Sequence, residues 1–211
     1  MTKEFGEFRA VDQMTISIRS NEIIALLGHN GAGKTTAIYM LTGMLMPTHG
    51  DAILHGNSIK KDTDVVRRNI GLCQQHDVLM EAVSIEEHLR MTLRIRTSVV
   101  DTVEEDRKIA EILREVMLTE HKAKLVRELS GGMKRKLSLG MALIGETKTI
   151  ILDEPTSGLD VESRQQVWEL IKVLKQGRSI IMSTQHIEEA DELADRVCIM
   201  SHGKVIALGT P

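Results

Sequence analysis

Residues 28–36 read Gly-His-Asn-Gly-Ala-Gly-Lys-Thr-Thr. Every fixed position of the phosphate-binding pattern G-x-x-x-x-G-K-[ST] is filled. Glycines let the backbone turn its N–H groups inward around an anion, and a helix N-terminus behind them adds partial positive charge. Lys34 is placed to reach the β- and γ-phosphates of a nucleotide, and the Thr35 hydroxyl to ligate Mg²⁺. Asn30, Gly31, Ala32, Gly33 and Thr36 complete the cradle. A second candidate centre is Asp153-Glu154, directly behind the apolar run Ile150-Ile151-Leu152. A carboxylate there can hold Mg²⁺ opposite the P-loop threonine. Strand side chains alternate, so Glu154 points elsewhere and is free to align and deprotonate an attacking water. A weaker pattern is Leu129-Ser130-Gly131-Gly132-Met133, ahead of a patterned helix from Lys134 to Ile144. Ser130 suits an N-cap there, and the two glycines let backbone amides approach an anion.

These groups need elements to hold them. Ile23-Ile24-Ala25-Leu26-Leu27 has the length of a buried parallel strand, and Ala37–Leu41 continues the P-loop as a helix that Gly43 ends. Residues 14–19 alternate apolar and polar, which predicts a half-buried, antiparallel strand. Ile70-Gly71-Leu72-Cys73 is a buried strand that delivers Gln75 at its end. The period then changes. Ser84 with Glu87 makes a capping box for a helix to about Arg96, and a second helix runs from about Val103 to Leu118. Strand grammar resumes at 149–152, 179–182, 197–200 and 205–208, with helices at 162–176 and 187–195. Strands alternating with helices give a mostly parallel sheet covered on both faces. Ligands in such sheets bind at the carboxyl ends of the strands. The P-loop, Gln75, Asp153 and Gln185 each follow a strand, so all can line one crevice.

Composition narrows the class. A chain of 211 residues suits one domain, and an apolar share of 42% is enough for a core. Aromatics are only 2%, so Leu, Ile, Val, Met and Ala must fill it, and the 12 methionines read as core filler. A net charge of −3 argues against a basic nucleic-acid groove. No apolar run approaches the roughly 18 residues that span a bilayer, and the first residues do not read as a signal peptide. Cys73 and Cys198 read as buried reduced thiols. The eight histidines lack close metal-ligand spacing, and Lys134-Arg135-Lys136 reads as a solvated helix face.

Together these motifs resemble the nucleotide-binding domain of an ATP-binding-cassette (ABC) transporter, in order and over almost the whole chain. Leu129–Met133 resembles the family's signature, Leu152–Pro155 its second Walker motif, Ser157-Gly158-Leu159-Asp160 its D-loop and Gln75 its Q-loop. Gly28-His29-Asn30-Gly31, Glu86-Glu87-His88 and Met133 are similar to the A subfamily, whose members mostly move lipids. The resemblance implies an α/β P-loop NTPase of RecA-like type, with antiparallel strands at the N-terminus. It implies a single domain over 1–211, with 1–79 and 141–211 as core and 80–140 as a helical signature subdomain.

Further implications are ATP and Mg²⁺ as cofactors, Phe5 stacking on adenine, and Thr35, Gln75 and Asp153 around the metal. Glu154, Gln185 and Lys34 are the implied catalytic set. Ser130, Gly131, Gly132 and Asp160 contribute to a nucleotide shared with a second such domain, identical or paralogous, in a head-to-tail sandwich. The other implied partner is a set of transmembrane domains, which places the chain on the cytosolic face of a membrane as part of a longer polypeptide or a half-system; no nucleic acid is expected. One departure stands out. The family's switch histidine falls at Gln185, with His186 next. Glutamine can hydrogen-bond a γ-phosphate but cannot carry charge or relay a proton. A slowly hydrolysing regulatory cassette, or a soluble non-transport ABC ATPase, are the alternatives.

Overall fold

The computed structural model describes residues 1–97, 101–145 and 147–211. Its centre is a six-stranded sheet of order β10-β9-β3-β8-β7-β6. Here β3 is Ile23–Leu27, β6 Ile70–Cys73, β7 Thr149–Asp153, β8 Ser179–Thr184, β9 Arg196–Ser201 and β10 Lys204–Gly209. All pairs are parallel except β9 with β10. The remaining strands form two hairpins: β1 (Lys3–Phe5) with β2 (Phe8–Val11), and β4 (Ile53–Leu54) with β5 (Asn57–Ser58).

Alternation along the central strands divides the core. Ile23, Ala25, Ile150, Leu152, Ile180 and Met182 face one side, and Ile24, Leu26, Ile151 and Ile181 the other. Both faces are buried, which is why these strands read as unbroken apolar runs. The second face is covered by α1 (Lys34–Leu41) through Ala37, Ile38, Met40 and Leu41. The first is covered by α5 (Gly131–Leu143) and α6 (Val161–Leu174), with α7 (Ile187–Leu193) beside them. Helices α3 (Ile85–Arg96) and α4 (Thr102–Glu115) extend this cluster through Leu89, Leu93, Ile109 and Leu113. Among the described residues, no helix is long and apolar enough to cross a membrane.

Helix starts follow the caps. Ser84 Oγ accepts the Glu87 N–H at 3.3 Å while the Glu87 carboxylate accepts the Ser84 N–H at 2.8 Å. Asp101 caps α4 through the Val103 N–H at 3.1 Å. Both cysteines are buried and free.

Several expectations are corrected. Residues 14–19 keep their alternation but form no ladder. Their carbonyls are met by side chains instead, Arg196 on Ser17 O at 3.0 Å and Ser179 on Arg19 O at 2.9 Å. A cleft of about 400 Å³, lined by 14–18 on one side and 51–55 on the other, lies between this segment and β4. Helix α2 (Thr63–Asn69) is unannounced in the sequence because it buries only Val66. Met14, Met40, Met182 and Met200 do fill the core, but Met44, Met46, Met80 and Met91 are exposed. The basic run is no solvated face, since Arg135 and Lys136 are buried. Burial pushes the Lys136 ammonium below its ordinary pKa, and Gln166 accepts from it at 2.9 Å.

Candidate functional site

The P-loop leaves β3 at Gly28, whose N–H donates to Thr184 O at 3.2 Å and so ties it to the end of β8. Gly28 cannot be larger, because a Cβ there would lie 2.5 Å from Met200 O. Gly33 has φ +101, and a Cβ would meet Ala10 O at 2.5 Å, so the β1–β2 hairpin presses on the loop. Gly33 is also the N-cap of α1 and brings no side chain to its first amides. Those amides therefore stay available to an anion.

Lys34 opens α1 and is buried. Its Nζ donates to Gly28 O at 2.7 Å and His29 O at 3.2 Å, and lies 3.7 Å from the Glu154 carboxylate. Thr35 Oγ1 donates to Asp153 Oδ1 at 3.4 Å. Gln75 Nε2 donates to Glu154 Oε2 at 3.0 Å. A cavity of about 360 Å³ lies over these groups, walled by Asn30 through Thr36, Gln75, Glu154, Phe8 and Ala10.

The second Walker carboxylates are set differently from the expectation. Simple alternation would send Glu154 to the face opposite Asp153. Instead Glu154 has φ +47, which turns the chain and brings both carboxylates to the P-loop. The turn is held by the Glu154 N–H, bonded to Ser183 Oγ at 3.0 Å and Ser183 O at 3.2 Å. The Ser183 hydroxyl in turn donates to Asp153 Oδ1. Ser183 was not legible as a site residue. It sits opposite Asp153 in the β7–β8 register, a pairing visible only once the strands are aligned.

Six expected residues lie apart from this cavity. Phe5 is not in its wall. Phe8, its cross-strand partner in the hairpin, is. The chain's only two phenylalanines flank the Gly6-Glu7 turn, and that spacing is the signal that could have paired them. Gln185 follows β8 but is exposed, and among the described residues its amide makes no hydrogen bond. Asp160 caps α6, accepting the Ser163 N–H at 2.9 Å, and that bond holds its carboxyl below the usual range. Ser130, Gly131 and Gly132 start α5 outside the cavity wall, with Ser130 and Gly131 exposed. Ser130 Oγ accepts the Met133 N–H at 3.2 Å.

Comparison with known proteins places this arrangement. A family profile described as ABC transporter matches residues 11–157. Over 202 residues the chain is 42% identical to ATP-binding cassette sub-family A member 2 of Homo sapiens, covering 96% of this chain and 8% of that protein. It is also 42% identical over 202 residues to the retinal-specific phospholipid-transporting ATPase ABCA4 of Mus musculus, covering 96% of this chain and 9% of that one. The chain thus spans less than a tenth of the length of these relatives. Among solved structures, cbiO1 from Clostridium perfringens, part of the ABC transporter complex cbiONQ, superposes with a TM-score of 0.91 at 27% identity, covering 100% of this chain and 86% of that chain. With the P-loop, the paired carboxylates and the signature helix all placed on that fold, the chain belongs to the ABC transporter family, as a cassette of the sub-family A type and so of a class of ATPases.

Proposed function

We propose that this cassette binds Mg²⁺–ATP between the P-loop and the ends of β6 and β7, hydrolyses it there, and in the full transporter powers the movement of lipid. One observation carries the reading: Lys34, Thr35, Gln75 and Glu154 close on one cavity, with cation and free amides on one wall and a carboxylate on the other. The amides of Asn30 to Thr35 and the Lys34 ammonium meet phosphate oxygens. Glu154 is the general base. One of its oxygens is held by the Gln75 amide, and the other takes the proton of the water that attacks the γ-phosphate. Ser183 keeps Asp153 and the Glu154 turn in place. Phe8, with Phe5 beside it, offers the adenine an aromatic face.

The donors fit Mg²⁺. The Thr35 hydroxyl, the Asp153 carboxylate and the Gln75 amide oxygen are hard oxygen ligands, and the first two already approach to 3.4 Å. Bound there, Mg²⁺ supplies charge neutralisation to the phosphates.

Ser130–Gly132 present a helix N-terminus at the surface, away from the chain's own cavity. This suits a head-to-tail pair in which each signature covers the partner's nucleotide. Transmembrane domains outside this chain choose the cargo, and kinship with a phospholipid-transporting ATPase supports a lipid. That reading puts the cassette on the cytosolic face of a membrane. The test is Mg²⁺-ATPase turnover of the purified chain against its concentration, with Glu154→Gln alongside. Turnover should rise more than linearly and fall by about 100-fold or more in the variant, the scale of a lost general base. Strictly linear turnover would remove the shared-site pair, and unchanged turnover in Glu154→Gln would remove the assigned base.

The exposed, unbonded Gln185 favours one refinement, a slow site paired with a faster cassette. Gln185→His should then accelerate turnover, and no change in rate would count against it.

A further inference from the structure

We propose that Arg135 is a positioning residue for hydrolysis: it fastens the loop carrying Gln75 to the signature helix and so sets the reach of Gln75 to Glu154. The proposal rests on the reading of Glu154 as base. Arg135 is 3% exposed and lies one turn into α5. Its Nη1 donates to Gln74 O at 2.6 Å and its Nη2 to Gln75 O at 2.5 Å. Nη1 also lies 3.4 Å from Cys73 Sγ and 3.2 Å from the Asp77 carboxylate. Ser138, three residues further along α5, donates to that same carboxylate at 2.7 Å. One guanidinium thus grips the backbone of two consecutive residues and one side chain just beyond them.

The chemistry requires this residue type. A planar fork with several donors can hold two successive carbonyls and a carboxylate together, whereas an ammonium is a single point. A charge so buried is costly to leave unpaired, so α5 and the loop move as one body or the cation must be hydrated. The Nε of Arg135 is buried with no hydrogen-bond partner among the described residues, so all its anchorage runs through the two terminal nitrogens. The Gln75 side chain then completes the link to Glu154 at 3.0 Å. Any displacement of α5 by an anion at Ser130–Gly132 is carried by this clamp to the loop that orients the base.

Cys73 provides a reporter. It is buried, with Arg135 Nη1 3.4 Å from its Sγ, so it should react slowly while the loop is held. Cys198, the only other cysteine, lies in the core of the opposite sheet face and is the control for general loosening. Arg135→Lys keeps the charge but cannot span both carbonyls. It should lower kcat about tenfold or more, leave ATP affinity measured at low protein concentration within about twofold, and raise the labelling rate of Cys73 about tenfold with Cys198 unchanged. Ser138→Ala, a milder release of Asp77, should shift the same quantities in the same direction by a smaller factor, and it carries the test if Arg135→Lys does not fold. Unchanged kcat in folded Arg135→Lys, equal rises at both cysteines, or loss of ATP affinity in step with kcat would each overturn the proposal. Cys73 labelling needs no hydrolysis, so it reads the clamp even if Glu154 is not the base.

Discussion

Two helix N-termini on this fold carry glycine, α1 at its cap and α5 in its first two positions, yet their surroundings differ. The start of α1 lies in a crevice, with Gly33 as a cap that adds no side chain and with Asp153 and Glu154 facing it. The start of α5 lies at the surface, where Ser130 already takes one of its amides. Gly132 is there for packing: a Cβ would come within 2.8 Å of Ser163 Oγ on α6. An N-terminus alone can bind an anion, but hydrolysis also needs a base and oxygen ligands within reach. Only α1 has them. On the proposed head-to-tail reading, this difference is what makes a second copy chemically useful: one end works on its own nucleotide, and the other recognises one brought to it.

The sharpest way to break that comparison is Lys34→Ala. It removes the one cation aimed into the α1 crevice, and charged hydrogen bonds of this kind contribute about 1.5–3 kcal/mol. Isothermal titration should show ATP affinity reduced roughly ten- to a hundredfold, even in dilute monomer. Equal affinity would mean that loop amides alone suffice. A second variant separates the two aromatic candidates. Phe8→Ala should weaken ATP roughly fivefold, the low end of base stacking on an exposed ring, and Phe5→Ala should do less. The reverse order would restore Phe5 as the platform. The smallest effect on binding belongs to the α5 end. Ser130→Ala should lower stability by about 1 kcal/mol through loss of the cap, read by thermal melting, while ATP affinity of the dilute chain stays unchanged. A loss of affinity there would show that the signature contributes to its own chain's site.

Much of this was legible in order along the chain. The P-loop, the apolar strands read at 23–27, 70–73 and 149–152, and the capping box at Ser84 are local patterns, and local sterics and hydrogen bonding decide them. The residues that hold the site groups in place were not. Arg135 read as a solvated charge because helical period alone cannot tell an outward cation from one that meets carbonyls of a loop 60 residues away. Residues 14–19 read as a strand because their alternation is real, but alternation does not bring a partner strand into register, and side chains of Arg196 and Ser179 meet Ser17 O and Arg19 O instead.

The sequence by itself determined the chemistry available: an anion cradle, two carboxylates behind a strand, a glutamine at another strand's end, and a family likeness that runs through the chain. Tertiary structure decided which of these groups meet and how. The left-handed turn at Glu154, pinned by Ser183 from a neighbouring strand, returns its carboxylate to the side of Asp153. The substitution of Phe8 for Phe5 at the cavity wall depends on where the hairpin presses on Gly33. Gly71 marks a close approach no local pattern announces, since a Cβ there would meet Ala142 O at 2.0 Å. The physical reason is common to all three. Side-chain type and local period are properties of neighbours in the chain, whereas strand register, close approach and burial of a charge are properties of neighbours in space.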